Sequence, residues 1–230
     1  MNTALNGSPA ARVAIVTGGS RGVGRAAISR LAARGCAVVV NYLHDQRAAE
    51  STVEAILANN GNAVAVRADI ADDLDVKRLF AETIAAFGGI DVVVHAAGSR
   101  ITASGVTEVD LDEFDALVRI NTRATFVVNR EAARHLRDGG AIINLSSSAG
   151  GSSLRTHGLY ATTKAATDVL TRALSLELRE RNISVNAVSL EVHRPCVPNR
   201  VADVIAYLLS DHGHCLTGQV LRVGDPGLRP

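Results

Sequence analysis

Tyr160 and Lys164 stand four positions apart in the run Tyr-Ala-Thr-Thr-Lys, which puts both side chains on one face of a helix. A free phenol titrates near pH ~10, too high for efficient proton transfer at neutrality, and a lysine ammonium within a few ångströms favours the phenolate by ~1–3 units. Such a pair can protonate a carbonyl oxygen or deprotonate an alcohol. Taken alone, the two residues read better as a structural tyrosine and a solvated lysine. Their surroundings shift that reading. An apolar run, Ala141–Leu145, ends in Ser146-Ser147-Ser148. Hydroxyls at the carboxyl edge of a strand can polarise a substrate carbonyl, and chemistry alone does not choose among the three. Asn121 is a polar residue amid apolar neighbours, suited to an active-site amide or to a helix cap or kink.

A second centre lies near the start of the chain. The first apolar run leads into Thr17-Gly18-Gly19-Ser20-Arg21-Gly22-Val23-Gly24, and a helical pattern follows at once. Glycines 18, 22 and 24 allow a sharp turn, a close approach of backbone to a pyrophosphate, and tight helix-on-strand packing. The helix start offers free N–H groups and a positive dipole end to phosphates. Ser20 and Val23 belong to the same loop. The second strand ends Val40-Asn41-Tyr42, with no carboxylate before Asp45 to accept from a ribose 2′-hydroxyl. Arg21 is placed to pair with a 2′-phosphate instead. The expected cofactor is NADP(H).

These residues need a frame, and the apolar pattern supplies one. Short runs at Val13–Val16, Ala37–Val40, Ala63–Val66, Asp91–Val94, Ala141–Leu145, Ile183–Val188 and Gln219–Val223 are apolar at most positions, as strands buried on both faces are. Helical periodicity fills the gaps, for instance over Ala71–Phe87, Leu111–Leu136, Thr162–Glu180 and Val201–Ser210. The alternation predicts an α/β fold, a Rossmann-type doubly wound sheet of seven parallel strands, in one domain spanning residues 1–230 with loose tails at 1–11 and 225–230.

Composition narrows the function. The 24 Lys and Arg against 23 Asp and Glu give a net charge of +1, no footprint for nucleic acid or an acidic membrane. No apolar stretch approaches the ~18 residues of a membrane span, and no signal peptide is expected before the first strand. The three cysteines, Cys36, Cys196 and Cys215, are too scattered for a disulfide framework or zinc site. A cytoplasmic enzyme is expected.

From Val13 to about Val223 the sequence resembles the short-chain dehydrogenase/reductase family, and within it the 3-oxoacyl carrier-protein reductases and their relatives. The family's Thr-Gly-x-x-x-Gly-x-Gly loop matches residues 17–24, and its Tyr-x-x-x-Lys matches Tyr160 and Lys164. The resemblance implies that Asp69, with Ile70 beside it, touches the adenine, and that Ala96, Ala97 and Gly98 line the cofactor. It selects Ser147 as the catalytic serine. It implies that Asn121 orders a proton-relay water and that Lys164 also binds the nicotinamide ribose. Asn41 and Tyr42 complete the expected cofactor contacts. A homo-oligomer, tetramer or dimer, packed through the long fourth and fifth helices and the C-terminal region is implied as well.

The resemblance breaks in two places. The usual Asn-Asn-Ala-Gly after the fourth strand is His95-Ala96-Ala97-Gly98, and His95 reads as a satisfied core histidine. The usual Pro-Gly after the sixth strand is Leu190-Glu191, followed by a substrate lid roughly 20 residues shorter than is common and stiffened by Pro195 and Pro198. Glu191 reads as a solvated loop carboxylate. The expected activity is NADPH-dependent reduction of a ketone, a 3-oxoacyl thioester or another bulky or carrier-borne carbonyl. The alternative is a weakly active or inactive NADP(H)-binding partner or regulatory subunit.

Overall fold

The apolar runs form the strands that their burial demands. In the computed structural model, which describes residues 11–99, 105–148, 155–191 and 197–224, β1 is Val13–Thr17, β2 Ala37–Tyr42, β3 Asn62–Arg67, β4 Ile90–His95, β5 Leu136–Ser148, β6 Ser184–Glu191 and β7 Val220–Val223. They make one parallel sheet in the order β3-β2-β1-β4-β5-β6-β7. β1 and β2 are buried at every position. Helices cover both faces. α1 (Gly22–Ala32), α2 (Gln46–Leu57) and α7 (Pro198–Leu208) pack over one core, built on Val16, Ile28, Val38 and Ile205. α3 (Asp73–Phe87), α5 (Ala124–His135) and α6 (Gly158–Glu177) pack over the other, built on Ile15, Leu79, Phe80 and Val128.

Three local expectations need correction. The continuous periodicity of Leu111–Leu136 predicts one helix, but α4 stops at Leu117 and α5 begins at Ala124, with a π turn over Val118–Arg123 between them. In that turn the Ala124 N–H bonds the Arg119 carbonyl, five residues back. Pro198 does not stiffen a loop. It opens α7, where its missing N–H costs no helical bond. β6 runs on through Leu190 and Glu191, pairing them with Ser147 and Ser148 of β5, because neither residue interrupts the ladder as a proline would. Only residues 192–197 then connect β6 to α7. Pro195, Cys196 and the tails at 1–10 and 225–230 lie outside the described residues.

Candidate active site

The strand order reverses between β1 and β4, and ligands of open α/β sheets bind at the carboxyl ends of the strands at such a point. A cleft of about 860 Å³ opens there. The glycine loop lines it with Gly18, Ser20, Arg21, Gly22, Val23 and Gly24, β2 with Asn41 and Tyr42, and the end of β3 with Asp69 and Ile70. Ala96, Ala97 and Gly98 border it after β4, and Ser147 and Tyr160 border it from the other side. Lys164 and Asn121 stand behind this surface, both buried. Sequence reasoning missed Leu43, His44, Asp45, Ser99, Ile120 and Leu190, which also line the cleft. Several of them directly continue strand ends, the one signal that could have found them.

The loop fits a dinucleotide phosphate. α1 begins at Gly22 with Arg21 as an extended N-cap, no side-chain cap and no acidic residue in its first turn, so its leading N–H groups are available to an anion. The carboxylates bordering the cleft are already engaged. Asp45 accepts from the Ala48 N–H at 3.0 Å as the cap of α2, and Asp69 accepts from the Ala71 N–H at 2.9 Å. Arg21 is exposed at the cleft edge. The Asn41 amide donates to the Val66 and Ala68 carbonyls at 3.3 and 3.1 Å, tying β2 to β3 where they border the cleft.

At the other end, α6 presents Tyr160 to the cleft. The Lys164 Nζ lies 5.9 Å from the centre of the Tyr160 ring and donates to the Leu145 carbonyl at 3.1 Å. The pleat of β5 separates the serines. Ser146 is buried and turns its hydroxyl to the Lys164 carbonyl at 3.3 Å, while Ser147 donates to the Leu190 carbonyl at 2.8 Å. Asn121 is held by the turn after β4. Its Oδ1 accepts from the Ser99 N–H at 2.9 Å, and its Nδ2 donates to the Ser99 carbonyl at 2.9 Å and to Thr163 Oγ1 at 3.2 Å. Both amide hydrogens are thus committed to protein partners. Gly98 separates Asn121 from Lys164: a Cβ on Gly98 would lie 3.0 Å from Asn121 Oδ1 and 3.4 Å from Lys164 Nζ. Among the described residues no group of three or more His, Cys, Asp or Glu could hold a metal ion, and no helix is long and apolar enough to cross a membrane.

Comparison with known proteins bears directly on this arrangement. Residues 12–195 match the short chain dehydrogenase family. The chain belongs to that family. It is 35% identical to versicolorin reductase 1 of Aspergillus parasiticus over 254 aligned positions, covering 95% of this chain and 97% of the relative. It is 39% identical over 183 residues to the hydroxynaphthalene reductase-like protein Arp2 of Metarhizium brunneum, covering 79% of this chain and 68% of that protein. A dehydrogenase/reductase from Sinorhizobium meliloti superimposes with a TM-score of 0.88 at 34% identity, covering 94% and 95% of the two chains. A short-chain dehydrogenase from Burkholderia cenocepacia, solved in complex with NADP, gives 0.82 at 30% identity over 93% and 96%. These two curated relatives are named for versicolorin and hydroxynaphthalene. The family expected from the sequence is the one these relatives share.

In this short-chain dehydrogenase the lysine is electrostatically unusual. Burial pushes the Lys164 pKa down to about 8 from 10.5, and the nearby Asp168 carboxylate opposes the shift only in part. Between those two values the unfolded chain still holds a proton that the folded chain has released, so stability rises with pH across that window. Below it, the buried ammonium costs up to about 3 kcal/mol. Urea unfolding of the cofactor-free protein should therefore show the wild type gaining on Lys164→Met by about 1–3 kcal/mol from pH ~8 to ~10.5. Parallel stability curves for the two proteins would refute the assignment.

Proposed function

We propose that the chain is an NADP(H)-dependent ketone reductase whose substrate is an oxygenated fused-ring aromatic ketone. The observation that carries the reading is Tyr160 facing the cleft with the Lys164 ammonium buried behind its ring. The cofactor, when bound, supplies the hydride, and the protein orients it. Gly18 to Gly24 and the N-terminus of α1 hold its diphosphate, Arg21 holds the 2′-phosphate, and Asp69 and Ile70 border the adenine end. Tyr160 delivers its phenolic proton to the ketone oxygen. Lys164 stabilises the phenolate that remains and reaches the ribose. The Ser147 hydroxyl swings from the Leu190 carbonyl to donate to the same ketone oxygen. Asn121 clamps the turn carrying Gly98 and Ser99, and a water relay to Lys164 is assigned to it on the family resemblance.

The substrate class draws support from the relatives' names, versicolorin reductase and hydroxynaphthalene reductase. It also fits the six-residue connection of residues 192–197, which leaves little chain to enclose a small ketone. Assembly with further copies belongs to the same reading: Phe126 on α5 and Val169 and Leu176 on α6 are apolar and more than half exposed, on the helices expected to pair. The test follows NADPH absorbance with a panel of tetralone-like ketones, acetoacetyl thioesters and simple aliphatic ketones. Turnover is expected to be fastest with the bicyclic ketones. Fastest turnover of the thioesters would restore the carrier-borne substrate class. Tight NADPH binding with no turnover of any carbonyl would overturn the reading as a whole. In the same assay Arg21→Ala should raise the KM for NADPH about tenfold, the effect of one charge-assisted hydrogen bond, and leave that for NADH nearly unchanged.

A further inference from the structure

His95 ends β4 and is fully buried between the phosphate loop and the π turn. Its Nδ1 lies 2.9 Å from Thr17 Oγ1, and its Nε2 lies 3.0 Å from Thr125 Oγ1. The neighbouring hydrogen bonds fix which nitrogen carries the proton. Thr17 Oγ1 already accepts from the Ala96 and Ala97 N–H groups at 3.1 and 3.2 Å, which fills both lone pairs. Its own hydrogen must then go to Nδ1. The Thr125 hydroxyl donates to the Asn121 carbonyl, one turn back, so its oxygen accepts from Nε2–H. The result is a chain of one-way hydrogen bonds from Thr17 through His95 and Thr125 to the backbone of Asn121. Burial and the Lys164 ammonium push the His95 pKa down to about 3, so the ring stays in the neutral form the chain requires.

The far end of this chain is the residue whose geometry the site depends on. Asn121 sits where α4 and α5 break into the π turn, and the Thr125 hydroxyl braces its carbonyl where the backbone bonding departs from the α pattern. From that position the Asn121 amide grips both backbone groups of Ser99, next to Gly98 and Lys164. We propose that His95 is a positioning residue, which through Thr125 holds the π turn and so aims the Asn121 amide at the Gly98–Ser99 turn. The proposal rests on the site reading above.

The test uses Thr125→Val, which removes the hydroxyl but keeps the shape, with Thr125→Ser as the conservative rescue and Asn121→Ala as the reference for the site itself. Thr125→Val should lower kcat about tenfold, the effect of one buried hydrogen bond holding a reacting group, with the KM for NADPH nearly unchanged. Thr125→Ser should restore kcat. Nitrogen-15 spectra of the wild-type imidazole should show the Nε2–H tautomer, unchanged across about pH 6 to 8. Wild-type kcat in Thr125→Val, an equal loss in Thr125→Ser, a parallel rise in KM, or an Nδ1–H or charged ring would each overturn the proposal. Loss of turnover in Asn121→Ala but not in Thr125→Val sinks the proposal and leaves the site reading standing. Full turnover in Asn121→Ala sinks the proposal together with the part given to Asn121, and the reductase reading, which rests on Tyr160 and Lys164, still stands.

Discussion

Tyr160→Phe is expected to lower kcat by about 10²–10⁴-fold while NADPH binding and stability stay close to those of the wild type. The reasoning separates the ring from its hydroxyl. The ring packs with Leu117 and Leu159 in a small apolar cluster, and phenylalanine fills the same space. In the proposed reaction the hydroxyl of this cleft-lining residue is the proton donor. Removing it leaves the Lys164 ammonium with no phenolate to stabilise, and the lysine's bond to the Leu145 carbonyl keeps it in place. The diphosphate and adenine ends of the cleft do not involve Tyr160, so affinity for the reduced cofactor, read by fluorescence titration, should hold. Thermal unfolding should be nearly superimposable on the wild type. A variant that still reduces the best ketone at more than about a tenth of the wild-type rate would remove Tyr160 from its role.

Gly24→Ala should damage both stability and cofactor binding. A Cβ at Gly24 would lie 2.2 Å from the Gly18 carbonyl oxygen, 2.9 Å from its carbon and 3.2 Å from the Gly19 Cα. All three are backbone atoms, so no rotamer can yield. Either the loop or the first turn of α1 must move. α1 is anchored by Ala27, Ile28 and Leu31 in one of the two cores, so the loop is the part that gives way. Overpacking of this kind costs about 1–3 kcal/mol. The displaced N–H groups no longer converge on a phosphate, and NADPH affinity should fall at least about tenfold. Thermal melts and a cofactor titration read the two effects separately. Unchanged NADPH affinity would mean that this turn does not hold the diphosphate.

The frame was largely legible. The apolar runs and their spacing predicted seven parallel strands, and the sheet has seven. The glycine loop between β1 and α1 and the Tyr160–Lys164 spacing were equally plain, because each is a local pattern with one geometric outcome. The π turn was legible only as a possible kink at Asn121. The apolar period runs through Leu111–Leu136 without a break, and what interrupts it is a set of bonds to distant residues: Asn121 to Ser99 and Thr163, and Thr125 to His95. The division of labour among the serines was hidden for a similar reason. Strand alternation says that Ser146 and Ser147 face opposite ways, but only the packing of α6 on β5 says which one meets the Lys164 carbonyl. The shared edge of β5 and β6 gave Leu190 its unexpected part, as the acceptor for the Ser147 hydroxyl.

The sequence by itself determined the order of the elements, the phosphate loop and the shared face of Tyr160 and Lys164, because helix and strand periods convert spacing directly into shared faces, whereas Asn121 and Ser147 were singled out only by the family resemblance. Tertiary structure alone decided how those residues are charged and held. Lys164 has a lowered pKa only because the fold buries it, His95 is bracketed by two threonines from different elements, and Asn121 is gripped by the turn after β4, which returns to meet it. Desolvation and hydrogen-bond partners are properties of contacts between segments far apart in the chain, and no local pattern encodes them.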